Sequence, residues 1–271
     1  MDWSKSKSIF IIVFLILDIF LYSLYLNRHT EAQKVEVLGE KTIEARLKDD
    51  NITYSTLPNI ETAPYLSGSV KHFTEEDLHF INGQEVTIES ESKIIVTFDE
   101  PIAVNDVNDP LSYVDFLQTY IIDNPYYTLW EVDETNQTTT FFQRTNNRTI
   151  YYNNHGMVKV YWNNDNEIYK YEQTLLVDLE EFEEQEDLWS PIQIIQVFYS
   201  KQLLKPDSHI TQVKLGYSTL VKSTQTQVFV PTWEIRVKTK DGQEEEYFAN
   251  AVEGKVIDVQ LDQTKVEEDE E

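Results

Sequence analysis

Residues 226–260 read TQVFVPTWEIRVKTKDGQEEEYFANAVEGKVIDVQ. Two strand-length runs, about 226–238 and 244–251, flank Lys240-Asp241-Gly242-Gln243. A short run with Gly at its centre between β-rich segments predicts a hairpin. A third run, about 255–260, follows after Glu253-Gly254. Upstream, 209–220 is a fourth strand-like run. These segments predict an antiparallel meander at the end of the chain.

Working back, Ser190-Pro191 marks a helix start. Serine is a preferred cap, and proline suits the first helical position because its missing N–H is not needed there. Ile194, Ile195, Phe198 and Leu203 then form the expected inward face. Residues 180–187 hold six acids in eight positions. We expect a solvated connector or the acidic first turn of a helix, in preference to a cation site, since like charges repel and stay in water.

From 65 to 178 short strands dominate. Val86–Ile88 and Ile94–Phe98 are apolar or alternating, and four further runs lie at 126–133, 138–145, 157–162 and 168–177. Asn153-Asn154-His155-Gly156 and Asn163-Asn164-Asp165-Asn166 read as turns between them. Asn108-Asp109-Pro110 predicts a helix start, with Leu111, Val114, Phe116, Leu117 and Ile121 on one face. Both halves share the order helix, then meander. The fold class expected is α+β: two extracytoplasmic domains of antiparallel sheets with helices, at 65–178 and 189–262, joined by an acidic connector at 179–188. An acidic tail follows at 263–271.

The N-terminus adds a different element. Residues 9–26 read IFIIVFLILDIFLYSLYL, broken only by Asp18, Tyr22, Ser23 and Tyr25. As a helix this run spans ~27 Å, close to the ~30 Å hydrocarbon core of a bilayer. Fourteen of its residues are Ile, Leu, Phe or Val, together contributing roughly −4 to −8 kcal/mol to insertion, against about +3 for one central aspartate. The run exceeds a signal-peptide core and ends at Tyr25-Leu26-Asn27-Arg28 without a small-x-small site. An uncleaved single transmembrane helix is therefore expected. Lys5 and Lys7 precede it and Arg28 follows, which places residues 1–8 in the cytoplasm and the rest outside. Ile11, Phe14, Asp18, Tyr22 and Tyr25 share one face. They form the expected interface with a partner helix, the alternative being a protonated Asp18 tolerated by an apolar segment. Residues 27–64 are read as a juxtamembrane helix and linker, with Val35, Leu38, Ile43 and Leu47 at helical spacing.

Composition removes several functions. The 271 residues carry 22 Lys+Arg against 48 Asp+Glu, a formal charge of −26. Nucleic acid is excluded as a partner, because phosphate binding needs clustered cations. With no cysteine, disulfides, thiol catalysis and Cys-ligated zinc are excluded. The seven glycines fall outside dinucleotide and P-loop spacings. The five histidines form no HxxxH or HExxH pair, and GxSxG and SxxK are absent. Residues 163–174 lack the Gly and Glu of a calcium loop and read as a turn. No catalytic, cofactor or metal residue emerges. The aromatics Tyr126, Tyr127, Trp130, Tyr151, Tyr152, Tyr161, Trp162, Tyr169 and Tyr171 crowd one region. We read them as core and cross-strand pairs in preference to a glycan-binding face.

The N-terminal run MDWSKSKSIFIIVFLILDIFLYSLYLNR, with IEARLKDDNITYSTLP and APYLSGSVKHFT after it, resembles the YycI (WalI) family of low-GC Gram-positive bacteria. The closing VPTWEIRVKTKDGQEEEYFANAVEGKVIDVQ is similar to a PepSY-like meander. The resemblance implies a membrane-anchored regulator without enzymatic activity. Its implied partners are the sensor histidine kinase WalK (YycG) and YycH through transmembrane helices, and a YycH-like protein through the ectodomain. The alternative is an extracytoplasmic receptor for a cell-wall fragment or small ligand.

Overall fold

A computed structural model describes residues 13–15, 17–18, 20–22, 41–78, 84–123, 126–221 and 226–258. The chain divides into two compact units, residues 1–49 and 50–271.

In the first unit, the described residues of 13–22 are helical and exposed. Helix α1 (Ile43–Asp49) is started by Thr42, whose Oγ1 accepts from Ala45 N at 3.3 Å. Lys41 pairs with Asp49. Among the described residues no helix is long and apolar enough to cross a membrane. The expected 9–26 span lies partly outside the described residues.

The second unit is a mixed, mostly antiparallel sheet with few helices, an α+β fold. Its strands are β1 (Thr53–Tyr54), β2 (Thr62–Val70), β3 (Gln84–Glu89), β4 (Lys93–Ala103), β5 (Tyr127–Asp133), β6 (Thr138–Thr145) and β7 (Arg148–Tyr151). They continue as β8 (Met157–Trp162), β9 (Glu167–Thr174), β10 (Leu176–Asp187), β11 (His209–Val221), β12 (Thr226–Lys238), β13 (Glu244–Asn250) and β14 (Lys255–Ile257). The helices are α2 (Val114–Tyr120) and α3 (Pro191–Ser200). The sheet runs β10-β2-β12-β11-β7-β6-β8-β9-β4-β3, with β1 on β11, β13 on β12, β14 on β13 and β5 on β6.

The meander forms where the sequence places it. β12 pairs antiparallel with β11 on one side and β13 on the other. Gly242 takes φ +82° in the hairpin turn, a conformation that glycine adopts without strain. Pro231 marks a switch along β12. Before it, Val228 and Phe229 face Ser67 and Leu66 of β2. After it, Thr232 faces Asn250 of β13. A residue with no N–H suits a point where the ladder changes partner.

Pairing runs across the expected boundary between the two halves. β2 hydrogen-bonds β12, and β7 lies parallel to β11 at Tyr217↔Ile150. β1 is also parallel to β11, so the sheet is mixed where an antiparallel one was expected. The acidic run expected as a connector is part of β10, paired with β2 from Leu176↔Val70 to Asp187↔Thr62. All its acids but the half-buried Glu186 stay exposed, because β10 is an edge strand whose side chains reach water. Charges and bulges on such a strand discourage unwanted pairing, and register shifts occur at Val177/Glu180 and Glu181/Gln185.

α3 begins as expected. Gln193 Oε1 accepts from Ser190 N at 2.8 Å, and Ile194, Ile195 and Phe198 are buried. Leu203 lies beyond its end. α2 differs from its expected face. Asp109 caps a 3₁₀ turn, Pro110–Tyr113, before α2 begins. Three residues per turn instead of 3.6 rotates the face. Leu111 is 77% exposed and Val114 also faces water, while Tyr113 and Phe116 are buried. They join Phe98, Phe141 and Tyr171 in the larger core. The 163–167 stretch is a turn, with Asn163 Oδ1 accepting from Asp165 N and Glu167 N.

Candidate functional site

A concave site of about 890 Å³ opens on the second unit. It is lined by Trp130 and Glu131 of β5, Tyr152 just after β7, Arg236 of β12, and Glu244 to Tyr247 of β13.

Its floor begins with alternation in β12. Trp233, Ile235 and Val237 are buried, so the intervening Glu234 and Arg236 point to the opposite face. Glu234 is nevertheless only 1% exposed. A buried carboxylate needs partners, and three converge on it. Tyr151 OH donates to Oε2 at 3.2 Å, Gln212 Nε2 donates to Oε1 at 3.2 Å, and Arg236 Nε donates to Oε1 at 2.5 Å. Burial and the Glu234 charge together push the Tyr151 hydroxyl well above its ordinary range. Tyr151 therefore acts as a neutral donor.

The Arg236 guanidinium lies 4.5 Å from the Trp130 ring centroid, within cation–π reach. Burial disfavours its charge, but Glu234 outweighs burial and raises its pKa. Trp130 sits at a register shift between Leu129 and Glu131 of β5; a bulge re-aims a side chain in this way. Its indole Nε1 donates to Tyr152 OH at 3.1 Å, and Tyr152 in turn bonds Glu246. Phe142, Tyr151 and Phe248 pack around the indole at centroid distances of 5.2, 5.5 and 6.3 Å.

The rim is acidic. Glu245 pairs with Lys205 and accepts from Tyr247 OH at 2.8 Å. The Lys205 bond is the main cause that holds the Glu245 carboxyl below its usual range. Glu131 and Glu244 are exposed. Such a groove presents aromatic surface and carboxylates together, which suits binding. Among the described residues no cluster of three His, Asp or Glu side chains is placed to hold a metal ion.

The aromatics of the crowded region divide. Tyr151, Trp162 and Tyr171 are core, and Tyr126 and Tyr169 are exposed. Trp130 and Tyr152 line the groove. Arg236 and Glu244–Glu246 are absent from the sequence-based candidates. The available signal was two charged residues alternating with apolar ones in the middle of a long strand. Of the expected membrane interface, Phe14, Asp18 and Tyr22 are helical and exposed, four residues apart and so on one face. Ile11 and Tyr25 lie outside the described residues.

The second unit is a mixed-sheet α+β fold with an aromatic, acid-rimmed groove. The sequence matches the family model described as YycI protein over residues 32–252, and the chain belongs to that family. The fold is similar to the 1.45 Å crystal structure of an uncharacterized protein from Eubacterium rectale, at 11% identity. That match covers 78% of this chain and 92% of the other, with a TM-score of 0.46. It is also similar to YycH from Bacillus subtilis, at 14% identity, 70% of this chain, 53% of that chain and a TM-score of 0.40. No curated protein sequence matches the chain.

Proposed function

We propose that this chain is a membrane-anchored, non-enzymatic regulator of the sensor histidine kinase WalK (YycG), which controls cell-wall metabolism, and that it works together with YycH. The YycI family match over residues 32–252 carries this reading. In it, residues 1–8 are cytoplasmic, 9–26 cross the membrane once and the remainder is extracytoplasmic. The helix biases the kinase between signalling states through Ile11, Phe14, Asp18, Tyr22 and Tyr25, and the outer unit engages YycH. A differential contact of about 1–3 kcal/mol changes such an equilibrium by roughly 5- to 150-fold.

The test is a kinase-dependent transcriptional reporter in cells expressing either the full chain or residues 1–30 alone. Retained control by the short form is expected. If residues 1–30 have no influence on kinase output, regulation through the helix is excluded.

A further inference from the structure

The groove at Trp130 has features that kinase regulation through a membrane helix does not use. β5 pairs with β6 and, among the described residues, with no other strand. A strand with one open edge can accept an added strand, the backbone bonds giving affinity and the flanking side chains selectivity; the Glu131 charge and the bulge at Leu129/Glu131, which discourage pairing with most strands, restrict this edge to a segment of opposite charge. Trp130 and Glu131 bring this strand to the groove, and β13 supplies the opposite wall.

We propose that the groove between β5 and β13 is a docking site for an extended, lysine- or arginine-bearing segment of a partner protein. Charge selects this occupant. Four carboxylates line the groove, those of Glu131, Glu244, Glu245 and Glu246. Its one guanidinium, Arg236, is already bonded to buried Glu234. Among the described residues Glu131 and Glu244 belong to no ion pair, whereas Glu245 is held by Lys205. Two exposed carboxylates outside any ion pair, Glu131 next to Trp130 in β5 and Glu244 opposite Lys238 in the β12–β13 register, therefore line the groove together with an indole that already carries one cation on its ring. Anionic partners are repelled by this rim. A second copy of the chain, at a net charge of −26, is disfavoured by the same repulsion. The aromatic surfaces of Trp130, Tyr152 and Tyr247 suit the aliphatic stems of Lys and Arg, which cover apolar surface while the charged head meets carboxylate.

The experiment uses the full-length chain in detergent micelles and a fluorescent nine-residue peptide alternating Lys and Val, followed by anisotropy. Saturable binding is expected. Glu131→Gln with Glu244→Gln should weaken it at least tenfold, and Trp130→Ala should weaken it further. A control removes the same charge from β10, as Glu183→Gln with Glu184→Gln, and should leave binding within twofold. Circular dichroism melts of each variant establish that the fold is retained; both Gln pairs lie at exposed positions. A Glu–Val peptide should not bind. A Lys–Val peptide with alternate amides N-methylated should bind at least tenfold more weakly, because strand addition needs its N–H groups. No binding of the Lys–Val peptide overturns the proposal. Equal weakening by the β10 pair does so too, by reducing the effect to overall charge. Undiminished binding of the methylated peptide overturns docking on the strand edge.

Discussion

Arg236 Nε lies 2.5 Å from Oε1 of Glu234, a carboxylate that is 1% exposed, while its guanidinium carbon sits 4.5 Å from the ring centroid of Trp130. One salt bridge thus ties the interior of the central sheet to the aromatic floor of the groove. Because Glu234 also holds Tyr151 and Gln212, the pair organises residues from three strands.

Glu234→Ala should leave a buried tyrosine hydroxyl and a half-buried guanidinium without their acceptor. Breaking a fully buried pair costs about 3–5 kcal/mol, and partial exposure of the arginine lowers this to about 2–3. Urea titration of the two proteins measures it. Glu234→Gln retains an acceptor oxygen and should lose less. A midpoint unchanged in the alanine variant would show that the cluster contributes nothing to stability.

Acid should weaken the fold through Lys71. This ammonium bonds Asp77 at 2.9 Å and Asp123 at 2.8 Å. The Lys71 bond, followed by that from Thr74 N, holds the Asp77 carboxyl below its ordinary value. Burial opposes the charge on Lys71, but the Asp123 and Asp77 bonds outweigh it and raise its pKa. A lowered carboxyl contributes stability above its unfolded value, about 3.9, and loses it as pH falls through the folded one. A raised ammonium contributes below about 10.4 and loses it as pH rises through its folded value. The stability gap between wild type and Lys71→Met should therefore be widest between about pH 4 and 10 and close on either side. Denaturant melts across that range test this; a gap independent of pH contradicts it.

Gly216→Ala should destabilise the junction of β7 and β11. A Cβ there meets the Tyr151 ring at 2.4 Å and the Thr149 carbonyl at 2.5 Å, and a backbone carbonyl in a parallel pair has little room to move. Overpacking against both a ring and a backbone carbonyl belongs in the upper part of the usual range, about 2–3 kcal/mol, or roughly 4–12 °C in Tm for a unit of this size. Gly242→Ala meets nothing within 4 Å and should cost only about 1 kcal/mol, from its positive φ. Equal melting temperatures for the two variants would refute the steric argument.

Asp18→Leu should weaken association with membrane partners in a bacterial two-hybrid assay, because a carboxyl within a bilayer is stabilised by a hydrogen-bonding neighbour. Undiminished signal would assign Asp18 no part in helix association.

Local chemistry made much of the fold legible. Gly242 in its turn, Ser190 and Pro191 at the start of α3, and the alternation of Trp233, Ile235 and Val237 are each decided within a few residues. The turn at Gly242 and the start at Ser190-Pro191 match the expectation from sequence, because turn geometry and capping act over that range; the alternation in β12 lies in the same short range, inside a run expected only as a strand. The 3₁₀ turn before α2 was not legible in the same way: Leu111 and Val114 fit a helical period, and only the tighter winding capped by Asp109 turns them to solvent.

The sequence by itself determined the apolar N-terminal run, the start of α3, most of the strands and the acidic balance, since composition, caps and periodicity need no distant partner. Tertiary structure alone decided that β2 joins β12, that β7 lies parallel to β11, and that β10 is an acidic edge strand. It also made the groove, gathering Trp130, Tyr152, Arg236 and Glu244 from separate parts of the chain. The physical reason is that a strand's alternation specifies which face is buried but not which strand it pairs with. That choice is made by packing between distant segments, and the groove exists only once it is made.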